Sequence, residues 1–228
     1  MALGWEPLPS PEEADQSVGT RLRKLDSPLA EYLISRSVAG ATHEDIIAGI
    51  KKLTGGRVIG HFQHMHPLPP KDLFTWLSGW IELGVVPLAT LNLQKGVQED
   101  RPIPDAWHHQ MIHGVSSTCV YLTNPRKETP FSLILQQLCS ESVLLIRRED
   151  IVSRWTPSVS LELIENRRWE ELQVVESIKK MMLEYVSTSE EGLKHSHIAI
   201  PAAYKSGITL FAMDGSRGAQ KLKELIFL

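Results

Sequence analysis

One stretch in the middle of the chain, Gly84 to Pro125, constrains the fold more than any other. It reads GVVPLATLNL, a polar loop, DAWHHQMIHGV, a short turn at Ser116-Ser117, and STCVYLTNP. Three apolar runs rich in β-branched residues and separated by turn signals predict three strands of a small antiparallel sheet. Two polar side chains stand out on it. His108 opens the second run and Asn124, before Pro125, closes the third. A hairpin turning at Ser116-Ser117 is expected to bring them together. An amide beside an imidazole is how an Asn orients a His acting as general base. His108 and Asn124 are therefore the candidate catalytic residues, and the stretch offers no obvious nucleophile for them. The bland readings are a histidine that caps a strand and an Asn-Pro pair that makes a turn.

The order Gly84-Val85-Val86-Pro87-Leu88-Ala89, then His108-His109 and Gly114, then Val120-Tyr121-Leu122-Thr123-Asn124-Pro125 resembles the second half of a papain-like cysteine peptidase of the C39-like, bacteriocin-processing kind. In that family a segment of the type G-x-P-V-I-a precedes a strand of the type H-[FYW]-V-V-V-x-G, and the next strand ends in Asp-Pro or Asn-Pro. The resemblance covers residues 40–125. It implies an α+β, papain-like fold, a small antiparallel sheet with flanking helices, incomplete at its N-terminus. It also implies that His108 is the family's base, His109 stands at its aromatic neighbour, and Asn124 is the residue that orients the base.

The family further requires a Cys at the start of a helix upstream of the His, where the helix terminus lowers the thiol pKa, and a Gln just before it as oxyanion donor. Cys119 and Cys139 both follow His108, so neither meets that requirement. The resemblance thus implies a chain with the His and Asn of a Cys-His-Asn triad but without its Cys. Such a chain is inactive as it stands, a truncated product or a pseudopeptidase, with a peptide or protein as ligand. Two other classes compete: a non-enzymatic protein-interaction module, and a metal-dependent hydrolase using His61, His64, His66, His108, His109 and His113. The segment His61 to His66 holds no helical i, i+4 pair and no nearby Asp or Glu in a known ligand pattern, and Pro67 suggests a loop, so no metal and no cofactor are expected.

Around this stretch, 228 residues with 42% hydrophobic and 22% charged side chains suit a globular domain, residues 29–228, preceded by a flexible leader, residues 1–28. Thr42 to Asp45 reads as a capping box and Gly55-Gly56 as the stop of the same helix. Residues 70–83 predict an amphipathic helix ending at Gly84, and residues 131–138 another. Residues 160–186 predict one long helix, interrupted in its apolar stripe at Arg168. Residues 197–200 and 208–212 predict a strand pair, and residues 219–228 a final helix. A groove beside His108, left by the missing Cys helix, is expected to be covered by residues 20–40. A net charge of −3 gives no footprint for nucleic acid or an anionic membrane. The absence of a long apolar run and of a signal-peptide pattern, with only two cysteines, points to the cytoplasm.

Overall fold

The computed structural model describes residues 9–97, 102–164, 166–187 and 195–226. Its first helix, α1 (Pro11–Val18), falls in the segment expected to be a leader. A reciprocal capping box starts it: the Ser10 hydroxyl accepts from the Glu13 N–H, and the Glu13 carboxylate accepts from the Ser10 N–H. The helix lies on α3 (His43–Leu53), where Ser17 donates to the Gly49 carbonyl at 3.2 Å. Residues 1–8 of the expected leader lie outside the described residues. Between α1 and α3 runs α2 (Leu29–Val38).

Helix α3 begins and ends where local chemistry directs. Thr42 and Asp45 form its capping box, and Gly55 and Gly56, at φ 57° and 80°, end it. Asp45 has a second partner, the Arg21 guanidinium at 2.6 Å. Arg21 chiefly, helped by Thr42, holds the Asp45 carboxyl at about 2 against an ordinary 3.8, although burial pushes the other way. A carboxyl lowered in the folded state adds stability above its ordinary pKa and loses it as pH falls from there to about 2. We expect this pair and cap to contribute about 1–2 kcal/mol at neutral pH. Asp45→Asn should lower stability at pH 7 and flatten its decline between pH 4 and 2. Denaturant titrations over that range check this, and an acid limb as steep as the wild type's refutes it.

The main sheet is antiparallel throughout. Its strands are β1 (Val58–His64), β2 (Val86–Asn92), β3 (Trp107–Val115), β4 (Cys119–Leu122), β5 (Lys127–Pro130) and β8 (Gly207–Met213), in the order β1-β8-β2-β3-β4-β5. The three strands expected between residues 84 and 125 are β2, β3 and β4, a meander whose last turn closes from the Ser116 N–H to the Cys119 carbonyl. Period-two alternation sends Ala89, Leu91, Ile112, Leu122 and Leu210 to one face. Three helices cover that face: α4 (Leu73–Glu82), capped by Asp72, α5 (Phe131–Leu138) and α9 (Arg217–Ile226). They contribute Leu77, Trp80, Ile134, Leu138 and Leu222 to the first core.

A second core lies beside the sheet. The pair β6 (Val143–Arg147) and β7 (His197–Pro201) packs with α2, α6 (Arg148–Val152), α7 (Arg167–Glu171) and α8 (Val174–Ser187). Leu29 and Leu33 of α2 are fully buried there, and Trp107 joins it from the start of β3. Residues 20–40 therefore seal this second core and not a groove along β2 and β3, while Leu22 and Leu25 are exposed.

The predicted strand pair separates. β7 binds β6, and β8 crosses to the middle of the main sheet between β1 and β2. The helix predicted over residues 160–186 is broken, because Gln173 takes a left-handed φ of 50° between α7 and α8. The Arg168 guanidinium in α7 turns to the Ser142 and Ala202 carbonyls, at 3.1 and 2.8 Å, and ties α7 to the β6–β7 pair. Position 165 lies outside the described residues. Among the described residues no helix is long and apolar enough to cross a membrane.

Candidate functional site

Strand β3 carries two adjacent histidines, and a strand sends neighbours to opposite faces. His108 lies opposite Leu91, and with Gln110 and Ile112 it shares the face under α4 and α5. His109 lies opposite Thr90 on the other face. Which of the two enters a polar network is decided by what the fold places above each face.

His108 is half-buried, and no side chain or backbone group among the described residues hydrogen-bonds its ring. Asn124 is exposed, at φ 58°, in the turn after β4. The turn is held by Gln110, a buried amide whose Nε2 donates to the Asn124 carbonyl at 2.8 Å and the Thr123 carbonyl at 3.4 Å. The Ile112–Leu122 pairing sets this register, so Asn124 comes opposite Gln110. His108 stands two residues further along β3, about 7 Å away along the strand, and no hydrogen bond joins it to Asn124. Gln110 is the residue that sequence reasoning passed over. Its only signal was a lone amide at an inward position of an otherwise apolar strand.

His109 is the more constrained imidazole. Its Nε2 lies 2.7 Å from the Ala41 carbonyl, and its Nδ1 lies 3.0 Å from the Thr90 hydroxyl. A carbonyl only accepts, so Nε2 carries a proton, and in the neutral ring, which burial favours, Nδ1 accepts from the Thr90 hydroxyl. Both ring nitrogens are used. Burial pushes its pKa down, the Ala41 contact pulls it back partway, and neighbouring His108 adds to the lowering. The ring of Tyr204 lies 6.0 Å from it. An imidazole satisfied at both nitrogens has no lone pair to offer a substrate, so His109 is a structural pin between β3, β2 and the α2–α3 corner.

The thiols are elsewhere. Cys119 sits at the far tip of the β3–β4 hairpin, about 25 Å of strand from His108. Cys139 caps the end of α5 against the first core, where burial pushes its thiol pKa up, away from the thiolate a nucleophile needs. Its carbonyl, not its sulfur, meets the His66 Nδ1, at 3.0 Å. The remaining histidines are divided by the same alternation. His61 and His64 point to opposite faces of β1, His43 stacks on Phe62 at 3.7 Å, and His113 meets the Tyr121 ring. Among the described residues no three His, Cys, Asp or Glu side chains converge on a point that could hold a metal ion.

Comparison with models of known protein families, with curated proteins and with solved structures finds no match to this chain.

Proposed function

We propose that this chain is a non-hydrolytic relative of the C39-like cysteine peptidases, a pseudopeptidase that binds a peptide or protein in the cytoplasm and does not cleave it. The family half of this reading is supported by the order of the parts: a Gly-Val-Val-Pro strand, a His-bearing strand and a strand ending in Asn-Pro, adjacent and antiparallel in an α+β domain. The non-hydrolytic half is carried by one observation. His108, at the family's base position, has neither thiol within hydrogen-bond reach, and a Cys nucleophile is activated only by a base beside it.

The test is labelling by an electrophilic peptide probe of the kind that traps catalytic thiols. Cys119 and Cys139 should react no faster than ordinary thiols, with rates unchanged in His108→Ala, and peptide libraries should remain uncut. Stoichiometric labelling that disappears in His108→Ala would overturn the reading.

A further inference from the structure

At the end of α2 a cavity of about 260 Å³ opens between the Arg21 to Arg23 segment, the Ala39-Gly40 corner, the start of β3 and Tyr204. Its lining holds three guanidinium groups, Arg21, Arg23 and Arg36, and one carboxylate, Asp105. Arg36 is the unusual member. Its side chain is 2% exposed, and its Nε has no hydrogen-bond partner. Its Nη2 donates to the Asp105 carboxylate at 2.8 Å and to the Asp105 carbonyl at 2.7 Å.

Asp105 is shared. Arg23 bonds its other carboxylate oxygen, and Arg147 stands 4.0 Å away. Arg21 is paired with Asp45. Four arginines around two carboxylates leave an excess of two positive charges, and including the neighbouring Asp150 with Arg154 leaves that excess unchanged. Burial chiefly, and Arg23 next, pull the Arg36 pKa down, so the charge there lacks compensation. Buried charge is ordinarily neutralised by a partner, and here the protein supplies half of one.

The remaining wall is aromatic. Trp107 and Tyr204 are stacked with centroids 6.0 Å apart and planes 22° from parallel. The Tyr204 hydroxyl comes so close over Gly40 that a Cβ there would collide with it, and Gly40 takes φ 92°. That hydroxyl has no hydrogen-bond partner among the described residues, and burial raises its pKa, so it remains a donor at neutral pH.

The geometry points to a binding site for a small organic dianion, a phosphate monoester bearing a flat apolar group, with its phosphate among Arg23, Arg36 and the Tyr204 hydroxyl and its flat group against Trp107. Guanidinium forks match phosphate oxygens, and the excess of two positive charges matches a dianion better than a carboxylate. The volume lies just below the range of drug-sized sites and suits a fragment of one ring. This site is separate from the His108 strand face and stands whether or not the chain is a pseudopeptidase.

The experiment is calorimetric titration of the full chain with phenyl phosphate, inorganic phosphate and benzoate, with thermal unfolding of each variant as a check on folding. Phenyl phosphate should bind saturably, more tightly than the other two, and more weakly as salt is raised. Arg23→Gln, at a partly exposed side chain, should weaken it about tenfold while leaving the thermal transition in place. Asp105→Asn should strengthen it by removing the carboxylate that competes for Arg23 and Arg36, an effect that a purely structural ion-pair network would not produce. The proposal is overturned by lack of saturable binding, by benzoate or inorganic phosphate binding as tightly as phenyl phosphate, or by an Asp105→Asn chain that binds no better than the wild type.

Discussion

A chain lacking residues 1–40 is expected not to fold cooperatively. The deletion removes α2, whose Leu29 and Leu33 are fully buried and whose Tyr32 is 2% exposed in the second core. Losing a large buried side chain costs about 3 kcal/mol, so these three alone forfeit about 9 kcal/mol, within the whole stability of an ordinary domain at about 5–15 kcal/mol. The loss extends further. Arg36 and Arg23 leave with the deleted segment and strand Asp105 beside Arg147, and the α2–α3 corner loses Gly40, next to the Ala41 carbonyl that pins His109. The uncovered faces of Ile146, Ile178, Ile198 and Ile200 would bind hydrophobic dye. Thermal unfolding followed by circular dichroism, with dye fluorescence in parallel, reads the outcome. A truncated chain that melts in one sharp transition near the wild-type temperature and stays dark to dye would show that α2 is dispensable.

Gln94→Leu should be the most damaging single substitution of a polar side chain. Gln94 is buried between the two cores and uses its amide like a piece of backbone. Its Nε2 donates to the Leu145 carbonyl at 2.8 Å and the Pro104 carbonyl at 3.0 Å, and its Oε1 accepts from the Leu145 N–H at 2.8 Å. These bonds attach β6 to the end of β2, and among the described residues no strand pairing joins the two sheets. Leucine fills the same space but leaves buried backbone groups without partners, each costing about 1–3 kcal/mol. We expect a loss of about 3 kcal/mol, which for a chain of this length lowers the melting temperature by about 9 °C. Gln136→Leu, at an exposed amide on α5, is the control and should change stability by less than about 0.5 kcal/mol. Hydrogen exchange adds a local readout, because the Leu145 amide should lose protection before the β2 and β8 amides do. Equal melting temperatures for the two variants would show that the sheets hold together without this clamp.

The residues legible in advance are those whose partners lie within a few positions. Thr42 and Asp45 cap α3 because their groups meet across one helical turn. The β2–β3–β4 meander follows from alternation and from a tight turn at Ser116, all inside one stretch. Local signals misled where a distant group outbid them. The apolar stripe of residues 160–186 is periodic enough for one helix, yet Arg168 finds the Ser142 and Ala202 carbonyls and the chain turns at Gln173. The leader is polar enough to be loose, yet Ser10 and Glu13 cap each other and α1 finds α3.

By itself, then, the sequence determined the α+β class, most of the strands and helices, and the hairpin that carries His108 and Asn124, but not the edge strand β5. Only the tertiary structure decided which faces those strands present and what meets them. β8 enters the sheet between β1 and β2, strands far from it in sequence, because its inward residues Ile208, Leu210 and Ala212 complete the first core from there. Gln110 holds the Asn124 turn because register, accumulated residue by residue from Ser116, brings it opposite. Arg21, Arg23 and Arg36 share a cavity with Trp107 and Tyr204 because α2 docks on the β6–β7 pair, and no periodicity in the chain carries that information. Helix propensity, capping and alternation act over a turn or a pleat, whereas burial and charge compensation act between whatever surfaces the fold brings together.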